Sequence, residues 1–360
     1  FASDPYFLRT SPRSVLCLPL VRAEKFSGAI YMENNLASGA FSVDRLEILR
    51  LLSAQATTSM ENAQLYKEQG RLIRAQERFV PSQFLENLGH ADISGVRLGE
   101  FVSRTMSVLF CDLRNFTPLA ERLGPRAMIA LLNRYFSRLA DPIAETGGFI
   151  DSYNGDEVMA LFGPPADQPV KAGIEMCRVI RAFNRELREE NGPELVMGVG
   201  VNTGPLVLGT VGGHDRLKCG VVGDTVNTAS RIEQLTRHYD APFLLGQQTV
   251  EALVNPDRFS LRRVDRVAVK GKEAGIDIHE VLDAETPERR QAKEDTRPLL
   301  DEGMEHYLAR EFDRAEARFV EALSRTPRDV VLQTLLARAQ RYRAEPPPSD
   351  WDGVEQLTRK

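Results

Sequence analysis

Only four cysteines occur in 360 residues (Cys17, Cys111, Cys177 and Cys219), and no two share a Cys-x-x-Cys spacing. That excludes a disulfide-dense secreted scaffold and a paired-cysteine zinc site, and leaves buried thiols in a reducing compartment. No apolar run approaches ~18 residues, so nothing in the sequence is built to span a bilayer. An excess of one charge is also missing: a net of −5 advertises no basic face for a nucleic acid. The five histidines, His90, His214, His238, His279 and His306, stand at no shared ligand spacing and are assigned no metal. What remains, 42% hydrophobic and 27% charged residues, is the balance of a soluble globular protein long enough for two or three domains. The chain opens at Phe1 with no signal-peptide pattern, which points to an amino-terminal truncation and a cytoplasmic setting.

Two aspartates organise what is present. The first ends an apolar run, Ser107-Val-Leu-Phe-Cys-Asp112. The second follows Asn154-Gly155, the signature of a two-residue hairpin turn, in Gly148-Phe-Ile-Asp-Ser-Tyr-Asn-Gly-Asp156. A buried strand ending in Asp beside a hairpin with Asp at its tip presents two carboxylates to one point. Such a pair suits two magnesium ions whose remaining ligands are phosphate oxygens, and so suits phosphoryl or nucleotidyl transfer.

Along the chain, 14–21 and 28–32 read as short strands, and a helix begins near Val43 and runs without Gly or Pro to Gln69. Its Leu46, Leu49, Ala56, Met60 and Ala63, extended by Leu72, Ala75 and Phe79, form an apolar seam fit to pair with a second copy or with the chain's own strands. From Met106 the pattern becomes strand, helix from about Arg126 to Thr146, hairpin 148–162, and helix 167–191. Strands 195–201, 205–211 and 217–222 follow, then a helix from about Thr225 to His238 capped by Asp224. Two helices on one side of an antiparallel sheet predict an α+β, ferredoxin-like architecture. In that last helix Asn227 and Arg231 lie four apart, on one face. Pro346-Pro-Pro348 opens what reads as a stiff, exposed tail.

Four motifs appear in order: Phe110-Cys-Asp112-Leu-Arg-Asn-Phe-Thr117, Gly155-Asp156-Glu-Val-Met-Ala160, Gly223-Asp-Thr-Val-Asn227-Thr-Ala-Ser-Arg231 and Val269-Lys-Gly-Lys272. Together they resemble the class III adenylate and guanylate cyclase catalytic domain over about residues 100–283. Ser14-Val-Leu-Cys-Leu-Pro-Leu20, Gly28-Ala-Ile-Tyr-Met-Glu-Asn34 and Glu61-Asn-Ala-Gln-Leu-Tyr66 resemble the carboxy-terminal part of a GAF sensor over 1–66. Residues 67–99 then read as a coiled-coil and coupling linker. Gly303, Ala315, Phe319, Ala322 and Pro327 have the offsets of a tetratricopeptide repeat within 296–343, a segment that must dock on the rest of the protein or take a protein partner. The tail is 344–360.

The cyclase resemblance implies a homodimer, joined through the coil and the catalytic domain, with active sites shared between chains. Asp112 and Asp156 of one chain would hold two Mg2+ or Mn2+ ions per site, while Asn227 and Arg231 of the other meet the transition state and Lys270 the terminal phosphates. Phe116, Thr117 and Gly155 are expected at the substrate, with Ser152 and Gly220 at the base-reading positions. Adenylate cyclases commonly carry Lys at the first of those positions and Asp or Thr at the second; guanylate cyclases often carry Glu and Cys, or Gly. Ser152 and Gly220 match neither set fully; the expected substrate is ATP, with GTP as the alternative. Asn154-Gly-Asp-Glu-Val158 also resembles the turn of diguanylate cyclases, which lack the two later motifs, and a cyclase-like dimer without turnover is the non-enzyme alternative.

Overall fold

The structure is a computed structural model that describes residues 4–22, 25–77, 79–213, 216–268, 275–349 and 351–356. The chain divides into two compact units, 1–79 and 80–360. In the first, α1 (Pro5–Thr10) precedes an antiparallel hairpin of β1 (Ser14–Arg22) and β2 (Lys25–Asn34), followed by α2 (Val43–Glu77). Among the described residues, Leu18 and Leu20 of the hairpin and Ser53 and Thr57 of α2 are buried. Leu46, Leu49 and Ala56 lie along this same half-buried face, so the first half of the seam packs against its own unit. Ile48, Leu51, Leu52, Leu65, Tyr66 and Leu72 stay exposed. Gly70 does not interrupt the helix, since neighbouring intrahelical bonds carry an isolated glycine at a cost of about 1 kcal/mol.

The second unit starts with α3 (Ser82–Leu88), β3 (Phe101–Leu113), α4 (Phe116–Glu145), β4 (Gly148–Asn154), β5 (Glu157–Phe162), α5 (Asp167–Glu189) and β6 (Met197–Gly212). Then come β7 (Leu217–Val222), α6 (Asp224–His238), β8 (Phe243–Gly246), α7 (Gln247–Glu251), β9 (Leu261–Ala268) and β10 (Gly275–Val281). It closes with α8 (Pro287–Leu308), α9 (Phe312–Arg325), α10 (Val330–Ala344) and β11 (Glu355–Gln356). The sheet order is β11-β9-β10-β8-β6-β3-β5-β4, with β7 paired to β6. The stretch β6-β3-β5-β4 is the antiparallel fourth-first-third-second order of a ferredoxin-like βαββαβ unit, while β8 joins β6 in parallel. Strand alternation divides the core. Leu109, Cys111 and Leu113 of β3 pack on Tyr135 and Leu139 of α4 and Met176 and Phe183 of α5. Met106, Val108 and Phe110 face the other way, onto Phe84 of α3, Phe149, Leu206 and Ala229 of α6.

Several boundaries differ from the sequence reading. Thr203-Gly204 is no break: Ser107 pairs with Thr203 and Met106 with Gly204, and the Ser107 and Thr203 hydroxyls meet at 2.7 Å, so 195–201 and 205–211 fuse into one strand. Helix α4 begins ten residues before Arg126, as two segments merged across non-helical Gly124 and then Pro125. Asp224 is the first helical residue, and Gly223 is the cap. The tail is not an extended arm. Arg310 donates to the Pro347 and Pro348 carbonyls, Trp351 meets Tyr307 edge-on at 5.3 Å, and β11 pairs in parallel with β9. Packing the chain's one tryptophan, half-buried, against Tyr307, Phe312 and Tyr342 outweighs the stiffness of three prolines. Helices α8–α10 form one core with α6 and β8–β10: Leu300, Tyr307, Phe319, Val331 and Leu335 pack with Ile232, Leu244, Val264 and Ile278.

Candidate active site

Alternation along β3 puts Asp112 on the side of Met106, Val108 and Phe110, opposite α4 and α5. It is half-buried and pairs across the ladder with Gly198 of β6. On the next strand Asn154 pairs with Glu157, so the turn residues are Gly155 and Asp156, one position on from the dipeptide that advertised the hairpin. Gly155 sits at φ +69°, which glycine adopts without the Cβ clash other residues incur. The turn brings the Asp156 carboxyl within hydrogen-bonding reach of Asp112. Burial, that hydrogen bond and the neighbouring charge push Asp156 up to about 7. A carboxyl crowded in this way by a second carboxylate fits a divalent cation, which would relieve the repulsion. Among the described residues no cluster of three or more His, Cys, Asp or Glu could hold a metal.

Helix α6 lies across this face because β6 carries glycines beneath it. A Cβ on Gly200 would come within 2.2 Å of the Glu233 backbone nitrogen, and one on Gly198 within 3.1 Å of Glu233 Oε1. Glu233 is 7% exposed. Burial, then the charges of Asp112 and Glu157, push it up to about 8. Glu233 lies two residues beyond the Asn/Arg motif and had no role in the sequence reading. The missed signal was its phase: Thr225, Thr228, Ala229, Ile232 and Thr236 form the buried stripe, and Glu233 falls on it. Asn227 and Arg231 fall off that stripe; Asn227 is exposed and Arg231 half-buried. At about 100° per residue, two residues turn Arg231 roughly 160° away from Glu233, and so away from the side that carries Asp112. The two aspartates and the Asn/Arg pair therefore lie on different sides of α6 within one chain.

Phe116 and Thr117 occupy the first turn of α4, three residues beyond Leu113; Phe116 packs on the core and Thr117 is exposed. Ser152 pairs with Met159 and so shares the face of Asp112. Gly220 does not share it. Cys219 and Val221 pack on the Phe110–Leu208 side, and alternation turns Gly220 the other way, over Gly209 and beside Phe101 and Val222. Spacing from the glycine of the helix cap carries no information about the face. Lys270 and Lys272, as well as His214, lie outside the described residues.

The sequence pattern of the adenylate and guanylate cyclase catalytic domain matches residues 102–281. An adenylate cyclase of Anabaena cylindrica is 40% identical over 211 residues, 57% of this chain and 42% of that protein. A terminal-differentiation specific adenylate cyclase of Dictyostelium discoideum is 34% identical over 249 residues, 67% of this chain and 12% of that protein. The chain thus spans less than half the length of these curated relatives. The structure of a bacterial light-regulated adenylyl cyclase overlays with a TM-score of 0.52 at 20% identity, over 74% of this chain and 78% of that one, a likeness of fold. No helix among the described residues is long and apolar enough to cross a membrane.

Proposed function

Because the chain belongs to the adenylate and guanylate cyclase catalytic domain family, we propose that it converts ATP to 3′,5′-cyclic AMP and pyrophosphate as a homodimer. The observation that carries this reading is the approach of Asp112 and Asp156 at the ends of adjacent strands. The ribose 3′-oxygen forms the new bond to the α-phosphorus, the bond from that phosphorus to the bridging oxygen of pyrophosphate breaks, and the hydroxyl proton leaves to solvent. Bound Mg2+ or Mn2+ would supply Lewis-acid stabilisation of both oxygens. Asp112 and Asp156 would hold the cations, and the first turn of α4, with Phe116 and Thr117, would offer backbone N–H groups to a phosphate. Asn227 orients the ribose and Arg231 meets the charge that develops at phosphorus. That their face of α6 is turned away from Glu233 supports a site completed by the second chain, as does their lack of a place beside Asp112. ATP is favoured over GTP because both relatives above carry the name adenylate cyclase. Ser152, Gly155 and Lys270 are assigned to the substrate in this reading. The amino-terminal unit is read as a sensor remnant, and the exposed apolar residues of α2 as its coiled-coil contact with the second copy.

Incubation with ATP, GTP, CTP or UTP in turn, with Mn2+ present and products identified by mass, is expected to give cyclic AMP and pyrophosphate from ATP. A cyclic product from GTP alone would replace the substrate, and silence with all four would leave a dimeric scaffold. Sharing of the sites is tested by mixing chains. Asp112→Ala and Arg231→Ala homodimers should each be inactive, while their mixture regains one intact site in each heterodimer. A mixture as silent as its components would place the whole site in one chain.

A further inference from the structure

Arg114 stands two residues after Asp112 and just past the end of β3, where its N–H continues the ladder to the Val196 carbonyl at 2.7 Å. Its guanidinium is only 14% exposed and is spent on the far end of α6. Nη2 donates to the Thr236 carbonyl at 2.6 Å and the Ala241 carbonyl at 2.9 Å, and Nη1 donates to Asp240 Oδ1 at 2.8 Å. Asp240 itself is held in a left-handed conformation, at φ +48°, where the chain leaves the helix. A planar cation set against the closing carbonyls of a helix satisfies acceptors that have no intrahelical donor and complements the helix dipole. Its Nε is buried without a partner among the described residues, so the guanidinium is held by Nη1 and Nη2 alone.

We propose that Arg114 is a positioning residue: it pins the end of β3 to the end of α6 so that the Asp112 carboxylate stays aimed at its cation. This rests on reading Asp112 as a metal ligand. Helix α6 is the fixed partner, because Thr228, Ala229 and Ile232 seat it on the sheet independently of Arg114. The strand end is the part that is held.

Arg114→Lys is the informative substitution. It keeps the charge but cannot reach three acceptors in one plane, and it avoids the empty space of an alanine. Mn2+ binding to the nucleotide-free protein, measured by calorimetry, is expected to weaken about 10–100-fold, the usual cost of removing a group that orients a metal ligand. Unchanged affinity would overturn the proposal. The mixed dimers give the second readout. Arg114→Lys placed on the Arg231→Ala chain, which donates Asp112 to the working site, should lower the restored activity by a similar factor. Placed on the Asp112→Ala chain it should leave that activity intact. Equal losses on either chain would assign Arg114 to general folding and overturn the proposal. If the mixture without Arg114→Lys is itself silent, the shared-site reading fails, and the Mn2+ measurement alone decides the role of Arg114. Arg289, which grips Asp240 from α8 at 3.0 and 3.3 Å, is the control: Arg289→Ala should leave Mn2+ affinity unchanged, and a matching loss would shift the effect from Arg114 to the Asp240 turn.

Discussion

Asp156→Asn is expected to lower cyclase turnover by about a thousandfold or more, ~4 kcal/mol of barrier, while making the metal-free protein more stable. The first effect follows from exchanging an anionic oxygen ligand for a neutral amide at a hard cation. The second follows from proton linkage. Asp156 holds its proton up to about 7 in the folded chain, against 3.8 when unperturbed. Folded protein therefore binds that proton more tightly than unfolded protein does. The stability this group contributes is complete below about 3.8 and is lost as pH rises through about 7. Asparagine has no proton to lose. The variant should match wild type in acid, gain on it from pH 4 to 7, and hold its advantage above. With half-burial and solvent screening allowed for, the gain is on the order of 1–3 kcal/mol, or about 2–4 °C of melting temperature for each kcal/mol. Saturating Mn2+ should reverse the order, because only the wild type gains from binding it. Melting curves in a chelator from pH 4 to 8, repeated with Mn2+, check each part. Parallel curves for the two proteins would show that the carboxylates do not crowd one another. An active site that costs stability until its cation arrives is the usual trade between function and folding.

The two aspartates were legible in the sequence because their surroundings are strongly patterned. An apolar strand that stops at a carboxylate and a glycine hairpin both act within a few residues. The ferredoxin-like order followed from the same local signals, since α4 and α5 each carry a clear apolar face. What escaped depends on partners distant in sequence. Thr203-Gly204 looks like a break until β3 supplies an antiparallel partner for both residues. Gly220 is at the expected position but faces away from Ser152, because one residue along a strand reverses the side chain, and motif spacing carries no information about faces. Glu233 and Arg114 drew no reading from the sequence, and only the packing of α6 over β6 encloses one and anchors the other. The tail was misjudged for the same reason: Tyr307, Phe312, Tyr342 and Trp351 form one aromatic cluster only once α8, α9 and α10 are folded together.

Arg262→Ala should be the most destabilising single change in the carboxy-terminal half, at about 3–5 kcal/mol. Arg262 lies on β9 with its side chain fully buried, paired to Glu280 of β10 at 2.6 Å and to Asp329, the cap of α10, at 2.6 Å. Lys293 of α8 reaches the other oxygen of Glu280 at 2.6 Å. The nearby positive charges hold Glu280 below the usual carboxylate range despite complete burial. One network thus fastens two strands to two of the three carboxy-terminal helices. Removing the arginine would leave Asp329 without its cation and Glu280 with only Lys293, and an uncompensated buried charge costs far more than the pair had contributed. Replacing both Arg262 and Glu280 by apolar residues of similar volume should therefore cost less than the sum of the two single changes. Denaturant midpoints for the single and double variants measure that difference. Amide exchange adds its location, with protection in α8 and α10 falling before that in β3 and β6. A loss below about 1 kcal/mol, or uniform loss of protection, would mean that apolar packing alone holds these helices.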